Sequence, residues 1–166
     1  YSITGGGFAG TSDTMTTGFL NTAGTITFTA TVTDSRGRTS AAKTVSISVA
    51  SYSAPSFSSY LSQRCSSSGT LASDGTYIKA SVSYSYSSCS GKNSVTRATY
   101  YRRIGATSWT NANKSFSSGT AFTFGSGNIS TESTYEIKYS LTDAFTTISI
   151  IDTVSTAAVI MDFKAG

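Results

Sequence analysis

Two stretches decide the fold: Thr25-Ile26-Thr27-Phe28-Thr29-Ala30-Thr31-Val32-Thr33-Asp34 and Thr134-Tyr135-Glu136-Ile137-Lys138-Tyr139-Ser140-Leu141-Thr142-Asp143. They align without a gap at an offset of 109 residues, Thr25 on Thr134 and Asp34 on Asp143. Every second residue is apolar: Ile26, Phe28, Ala30 and Val32 in the first, Tyr135, Ile137, Tyr139 and Leu141 in the second. A period of two places one row of side chains on a dry face and the other on a wet face, which is the pattern of a half-buried β-strand. Each stretch reaches Thr-Asp and then a second extended run, Val45, Ile47 and Val49 in one case and Ile148 to Val154 in the other. Strand, short turn, strand reads as a hairpin, and the same hairpin twice predicts tandem modules of about a hundred residues.

The rest of the chain agrees with an all-β reading. Ser (33) and Thr (28) make up more than a third of the 166 residues, yet 10 Tyr and 9 Phe accompany them and there is a single Pro. Disordered Ser/Thr-rich stalks lack such aromatics, so the hydroxyls read as the solvated rows of strands. Between the two hairpins the alternation continues. Tyr77 to Tyr86 carries Ile78, Ala80, Val82, Tyr84 and Tyr86 in one row; Val95 to Ile104 carries Tyr100, Arg102 and Ile104 in phase. Shorter strands are predicted over Ser56 to Leu61, at Ser108-Trp109-Thr110 and at Phe122 to Phe124, with turns at Ser66 to Gly75 and Gly105-Ala106. Seven strands in this span predict a two-sheet Greek-key sandwich of the immunoglobulin or fibronectin III type.

The predicted organisation is residues 54–158 as the sandwich, entered through Ala54-Pro55, and 159–166 as the start of a linker to further modules. Residues 1–53 would be either the C-terminal half of an earlier module or a small β module. As a half-module it would lack about three strands, so a longer parent protein or a second chain would complete it.

Composition excludes several chemistries. The chain has no His, which removes the commonest general base, the commonest zinc ligand and every Ser-His-Asp or Cys-His system. Its 8 carboxylates are scattered; Asp34 and Asp143 sit at equivalent turns, where an Asp caps its own backbone. Gly5-Gly6-Gly7 lacks the Gly-Lys-Ser/Thr of a phosphate loop. The expectation is therefore no enzyme, no metal and no cofactor. The net charge of +4 is spread thinly, with Arg36/Arg38 and Arg97/Arg102/Arg103 as its densest clusters, so no nucleic-acid partner is expected. No stretch is long and apolar enough for membrane insertion. Cys65 and Cys89 leave a single disulfide open.

Some stretches carry a family resemblance. Arg64-Cys65-Ser66-Ser67-Ser68-Gly69-Thr70 followed by Asp74-Gly75-Thr76-Tyr77, then Tyr139 to Phe145, and the ending Met161-Asp162-Phe163-Lys164-Ala165-Gly166, resemble a repeating module of tail proteins from siphoviruses and prophages of Gram-positive bacteria. The resemblance covers 54–166, and 25–50 through the repeated hairpin. Leu71-Ala72-Ser73 departs from a more acidic stretch, and Cys89 is not a family position. The resemblance implies a minor structural or tail-tip protein in the virion, with other tail proteins as partners, as a symmetric homo-oligomer or not. A carbohydrate- or cell-wall-binding module that supports host attachment is the second reading. The third is an accessory domain of a bacterial surface hydrolase, which would place it outside the cell or on its surface. For the binding reading the candidate contacts are Tyr100, Tyr101, Trp109 and Tyr60, since exposed aromatic rings are the usual platforms for sugars and one of two adjacent strand residues must face outward.

Overall fold

A computed structural model describes residues 1–157. The proposed linker 159–166 and the last residue of the 54–158 module lie outside the described residues. Among those described there is no helix, and eleven strands run antiparallel to their neighbours. They are β1 (Ser2–Gly5), β2 (Phe8–Gly10), β3 (Gly24–Thr31), β4 (Lys43–Val49), β5 (Ser56–Cys65), β6 (Tyr77–Ser85), β7 (Thr96–Arg103), β8 (Thr110–Asn111), β9 (Phe122–Phe124), β10 (Tyr135–Thr142) and β11 (Thr147–Val154). The all-β reading holds. The chain divides into two compact units, Tyr1–Ser53 with Ser88–Lys92, and Ala54–Ser87 with the rest from Asn93.

The first unit is one four-stranded sheet of order β2-β1-β3-β4. The hairpin read at Thr25 is β3–β4, with Ile26 opposite Ile47 and Phe28 opposite Val45. Alternation puts these four on one face with Ile3, which pairs with Ala30. That face is only partly covered: Val45 remains 61% exposed and Ile47 39%. Strands β1 and β2 were not legible in the sequence, because four- and three-residue strands around Gly5-Gly6-Gly7 carry too short an alternation to register. Gly5 is needed there, since a Cβ would sit 2.6 Å from the Thr27 carbonyl oxygen at a φ of 159°.

In the second unit a three-stranded sheet, β5-β6-β9, and a four-stranded sheet, β11-β10-β7-β8, share one core. The chain changes sheet after β6, returns after β8 and changes again after β9. The core rows are those the period-two reading predicts: Ile78, Ala80 and Val82 from β6 meet Tyr135, Ile137, Tyr139 and Leu141 from β10, all nearly inaccessible. Phe116, which lies in the loop after β8, stacks on Phe122 at 5.8 Å and meets Tyr139 edge-on at 5.7 Å. Every fully buried apolar side chain among the described residues belongs to this unit.

The equivalence of the two hairpins extends to their turns. Thr33 and Thr39 join hydroxyls at 3.0 Å, as do Thr142 and Thr147. Asp34 accepts from the amides of Arg36 and Arg38, and Asp143 from those of Phe145 and Thr146. The Arg38 amide, its guanidinium and then the Arg36 amide hold the exposed Asp34 carboxyl below the usual carboxylate range. No disulfide joins the two cysteines: Cys65 is buried in the second unit, while Cys89 lies in the loop grouped with the first, its Sγ 3.7 Å from the Ser51 carbonyl.

Candidate functional site

The outer face of the β11-β10-β7-β8 sheet gathers the surface aromatics. Strand β7 pairs with β10 so that Tyr100 faces Lys138 and Arg102 faces Glu136, and with β8 so that Tyr100 faces Asn111. Trp109, just before β8, therefore comes alongside Arg102. The Arg102 guanidinium lies 4.3 Å from the centre of the Trp109 ring, and Lys138 Nζ lies 4.6 Å from the same ring and 4.7 Å from that of Tyr100. Arg102 Nε also donates to Glu136 at 2.6 Å. Cations over indole and phenol faces are attracted by the ring quadrupole. The result is a half-buried ladder of two rings, two cations and one carboxylate that orders its own side chains.

Of the four candidate contacts, Tyr100 and Trp109 are brought together here. Tyr101 turns the other way: it is partly buried and packs on the core against Phe124 and Tyr135, at 6.2 and 6.3 Å. Its phase is set by Thr99, fully buried two residues earlier on the same row. Tyr60 is exposed on β5, in the other sheet, and shares no surface with the pair. The sequence does not place the cations Lys138 and Arg102 over these rings, because cross-strand pairing, not sequence spacing, makes them neighbours.

A second constellation lies inside. Arg64 at the end of β5 is 7% exposed and has no carboxylate partner in the pairs described. Its guanidinium donates to four backbone carbonyls: Nε to Ser155 at 2.7 Å, Nη1 to Gly75 at 3.1 Å, and Nη2 to Ser130 and Ser133 at 2.9 and 2.8 Å. Burial pulls its pKa below the ordinary guanidinium value without removing the charge. One planar fork thus ties together β5, the β5–β6 connection, the β9–β10 crossover and the end of β11. Gly75 can take part because a Cβ there would lie 2.3 Å from the Cys65 carbonyl oxygen. The Arg64-Cys65 and Asp74-Gly75 stretches are therefore two halves of one structural clamp.

The crossover has a further tie. Tyr135, at the start of β10, sends its hydroxyl back along the chain, accepting from the Ser130 amide at 3.1 Å and donating to the Asn128 carbonyl at 3.3 Å. Burial works to raise its pKa, but the hydrogen bond from Arg103, the Ser130 amide and the charges of Arg103 and Arg64 bring it below the ordinary phenol value. At the opposite end of the strand, buried Asn93 donates to the Ser87 carbonyl and to Asp143 Oδ2 and accepts from the Ala144 amide. These polar groups are spent on holding loops. Among the described residues no three His, Cys, Asp or Glu side chains converge as metal ligands would.

A family model described as a siphovirus protein of unknown function (DUF859) matches residues 3–166. The chain belongs to this siphovirus protein family. The match spans both units, so the four-stranded sheet and the sandwich are parts of one family architecture rather than a sandwich with an unrelated leader. No curated protein and no solved structure is significantly similar to the chain. Membership supports a virion-associated, structural role for this siphovirus protein.

Proposed function

We propose that this chain is a spacer and assembly module of the phage tail, a non-catalytic element whose second unit is an immunoglobulin- or fibronectin III-like sandwich. The observation that carries the reading is the fate of the interior polar groups. Arg64, Tyr135 and the Asn93–Asp143 pair use their hydrogen-bonding capacity on backbone at both ends of the sandwich, which stiffens the loops that an enzyme would leave free to shape a cleft. The sheet orders β5-β6-β9 and β11-β10-β7-β8, and the tyrosine reaching back across the crossover before its strand, support the immunoglobulin-like assignment. A stiff module with a chemistry-free core transmits geometry between neighbours. Immunogold labelling of intact virions with an antibody raised against the 166-residue chain tests the placement. Gold along the tail or at its tip is expected; gold on the head, or none on virions whose lysate contains the protein, rejects it.

Host attachment is the second reading, favoured by the Tyr100–Trp109 pair. The two rings share one cation and stand on a rigid sheet, as a sugar platform requires. Retention on purified host cell walls that is lost in W109A and Y100A, but kept in Y60A, would support it. No retention of the parent chain would remove it.

A further inference from the structure

An edge strand exposes a row of unpaired amides and carbonyls and will pair with another strand unless something prevents it. Among the described residues nearly every sheet edge carries such a safeguard. Strands β2, β8 and β9 are only three, two and three residues long. Strand β5 has a register irregularity between Phe57 and Ser59, and Leu71 bridges to Cys65 at its far end. Strand β11 carries an inward-pointing charge, Asp152, opposite Ile137. Strand β4 carries a single such device, Lys43 at its first residue, on the row of Val45 and Ile47; beyond it there is none. It pairs on one side only, with β3, in an unbroken register over seven residues. From Thr44 to Val49 it has no charge, no Pro and no Gly, and all but Val49 of its residues are exposed.

We propose that β4 is an assembly edge that pairs antiparallel with β4 of a second copy of this chain, about a two-fold axis normal to the sheet at Ile47. The strand is self-complementary in a way that selects this occupant. With Ile47 facing its own counterpart, Val45 meets Val49 and Ser46 meets Ser48 on either side of the axis. Apolar side chains then face apolar ones on one surface of the joined sheet and hydroxyls face hydroxyls on the other, with no charge opposed to a charge. The apolar surface is already continuous with a groove in which Ile3, Met15, Phe28, Val45 and Ile47 are joined by Asp13, Thr14 and Thr17, so pairing gathers the two exposed apolar rows into one band. Two four-stranded sheets become one of eight, and the edge disappears.

Sedimentation of the 166-residue chain in a dilution series reaching about 1 mM tests this. A shift from 17.2 kDa to twice that mass is expected. I47K, which sets two ammonium groups against each other on the axis, should remain at the single-chain mass throughout. A monomer across the whole series overturns the proposal and leaves the edge to a strand from a different protein; so does a dimer that survives I47K. Because I47K could unfold the first unit, I47C supplies an independent reading. Mild oxidation should give a reducible dimer whose bridge maps by peptide mass to position 47 in both chains, whereas S149C on the safeguarded β11 edge should not cross-link. Failure of I47C to cross-link also overturns it.

Discussion

At the residue scale, Arg64 shows how a charge can be buried without a counter-ion when backbone carbonyls satisfy it. Removing it leaves the carbonyls of Gly75, Ser130, Ser133 and Ser155 without their donor. R64M should cost on the order of 3 kcal/mol, because buried acceptors then bear their desolvation unpaid. For a unit of this size that lowers the melting temperature by more than about 10 °C. R64K should recover only part of the loss, since an ammonium group cannot present the planar fork. A full recovery in R64K would show that charge alone is what matters. Tyr139 makes a prediction in pH. Burial raises its pKa, the hydrogen bond with Ser62 works against this, and the Asp152 carboxylate adds to it. In the unfolded chain the phenol ionises near pH 10, while in the fold it stays protonated to higher pH. Its contribution is thus complete below about pH 10 and falls above it, by up to about 1.4 kcal/mol per pH unit. Buried Cys65, also raised, acts in the same direction; Tyr135, lowered, acts in the opposite one. Urea midpoints should therefore drop steeply between about pH 10 and pH 11, and Y139F should flatten that drop.

At the scale of the element, β7 assigns opposite roles to adjacent tyrosines. Tyr101 belongs to the core row with Thr99, and Tyr100 to the outer row beneath Lys138. Y101A should destabilise the second unit by about 3–5 kcal/mol through the cavity it leaves. Y100A should cost less than about 1 kcal/mol, the size of a surface cation–π contact. Chemical denaturation of the two variants checks the contrast, and equal losses would mean that the phase of β7 is misassigned. The sequence could state that one of the pair faces out, because the period is two. It could not state which, because β7 places Arg97 and Thr99 on the inner row and Tyr100 and Arg102 on the outer, so hydrophobicity does not mark the face.

For the whole molecule, the two units differ in how much they bury. The sandwich contains every fully buried apolar residue described, and the first sheet keeps Val45 and Ile47 exposed. Residues 54–157 expressed alone should therefore unfold in one cooperative transition, because that core is internal to them. Residues 1–53 alone should show no cooperative transition at low concentration, since a single small sheet with an open face buries too little apolar surface to fold unaided. Differential scanning calorimetry of the two pieces distinguishes the cases.

The all-β class, both hairpins, their Asp-capped turns and the buried rows of β6 and β10 follow from the amino-acid order alone. Each rests on local periodicity and on a side chain reaching its own backbone, and neither requires knowledge of the distant chain. The face of Tyr100, the cations that seat themselves over Trp109, the place of Phe116 in the core and the four carbonyls around Arg64 depended on the tertiary structure. Most of these join segments tens of residues apart, as Lys138 with Trp109 and Arg64 with Ser130 do, and only the pairing of strands across and between sheets determines which of them meet.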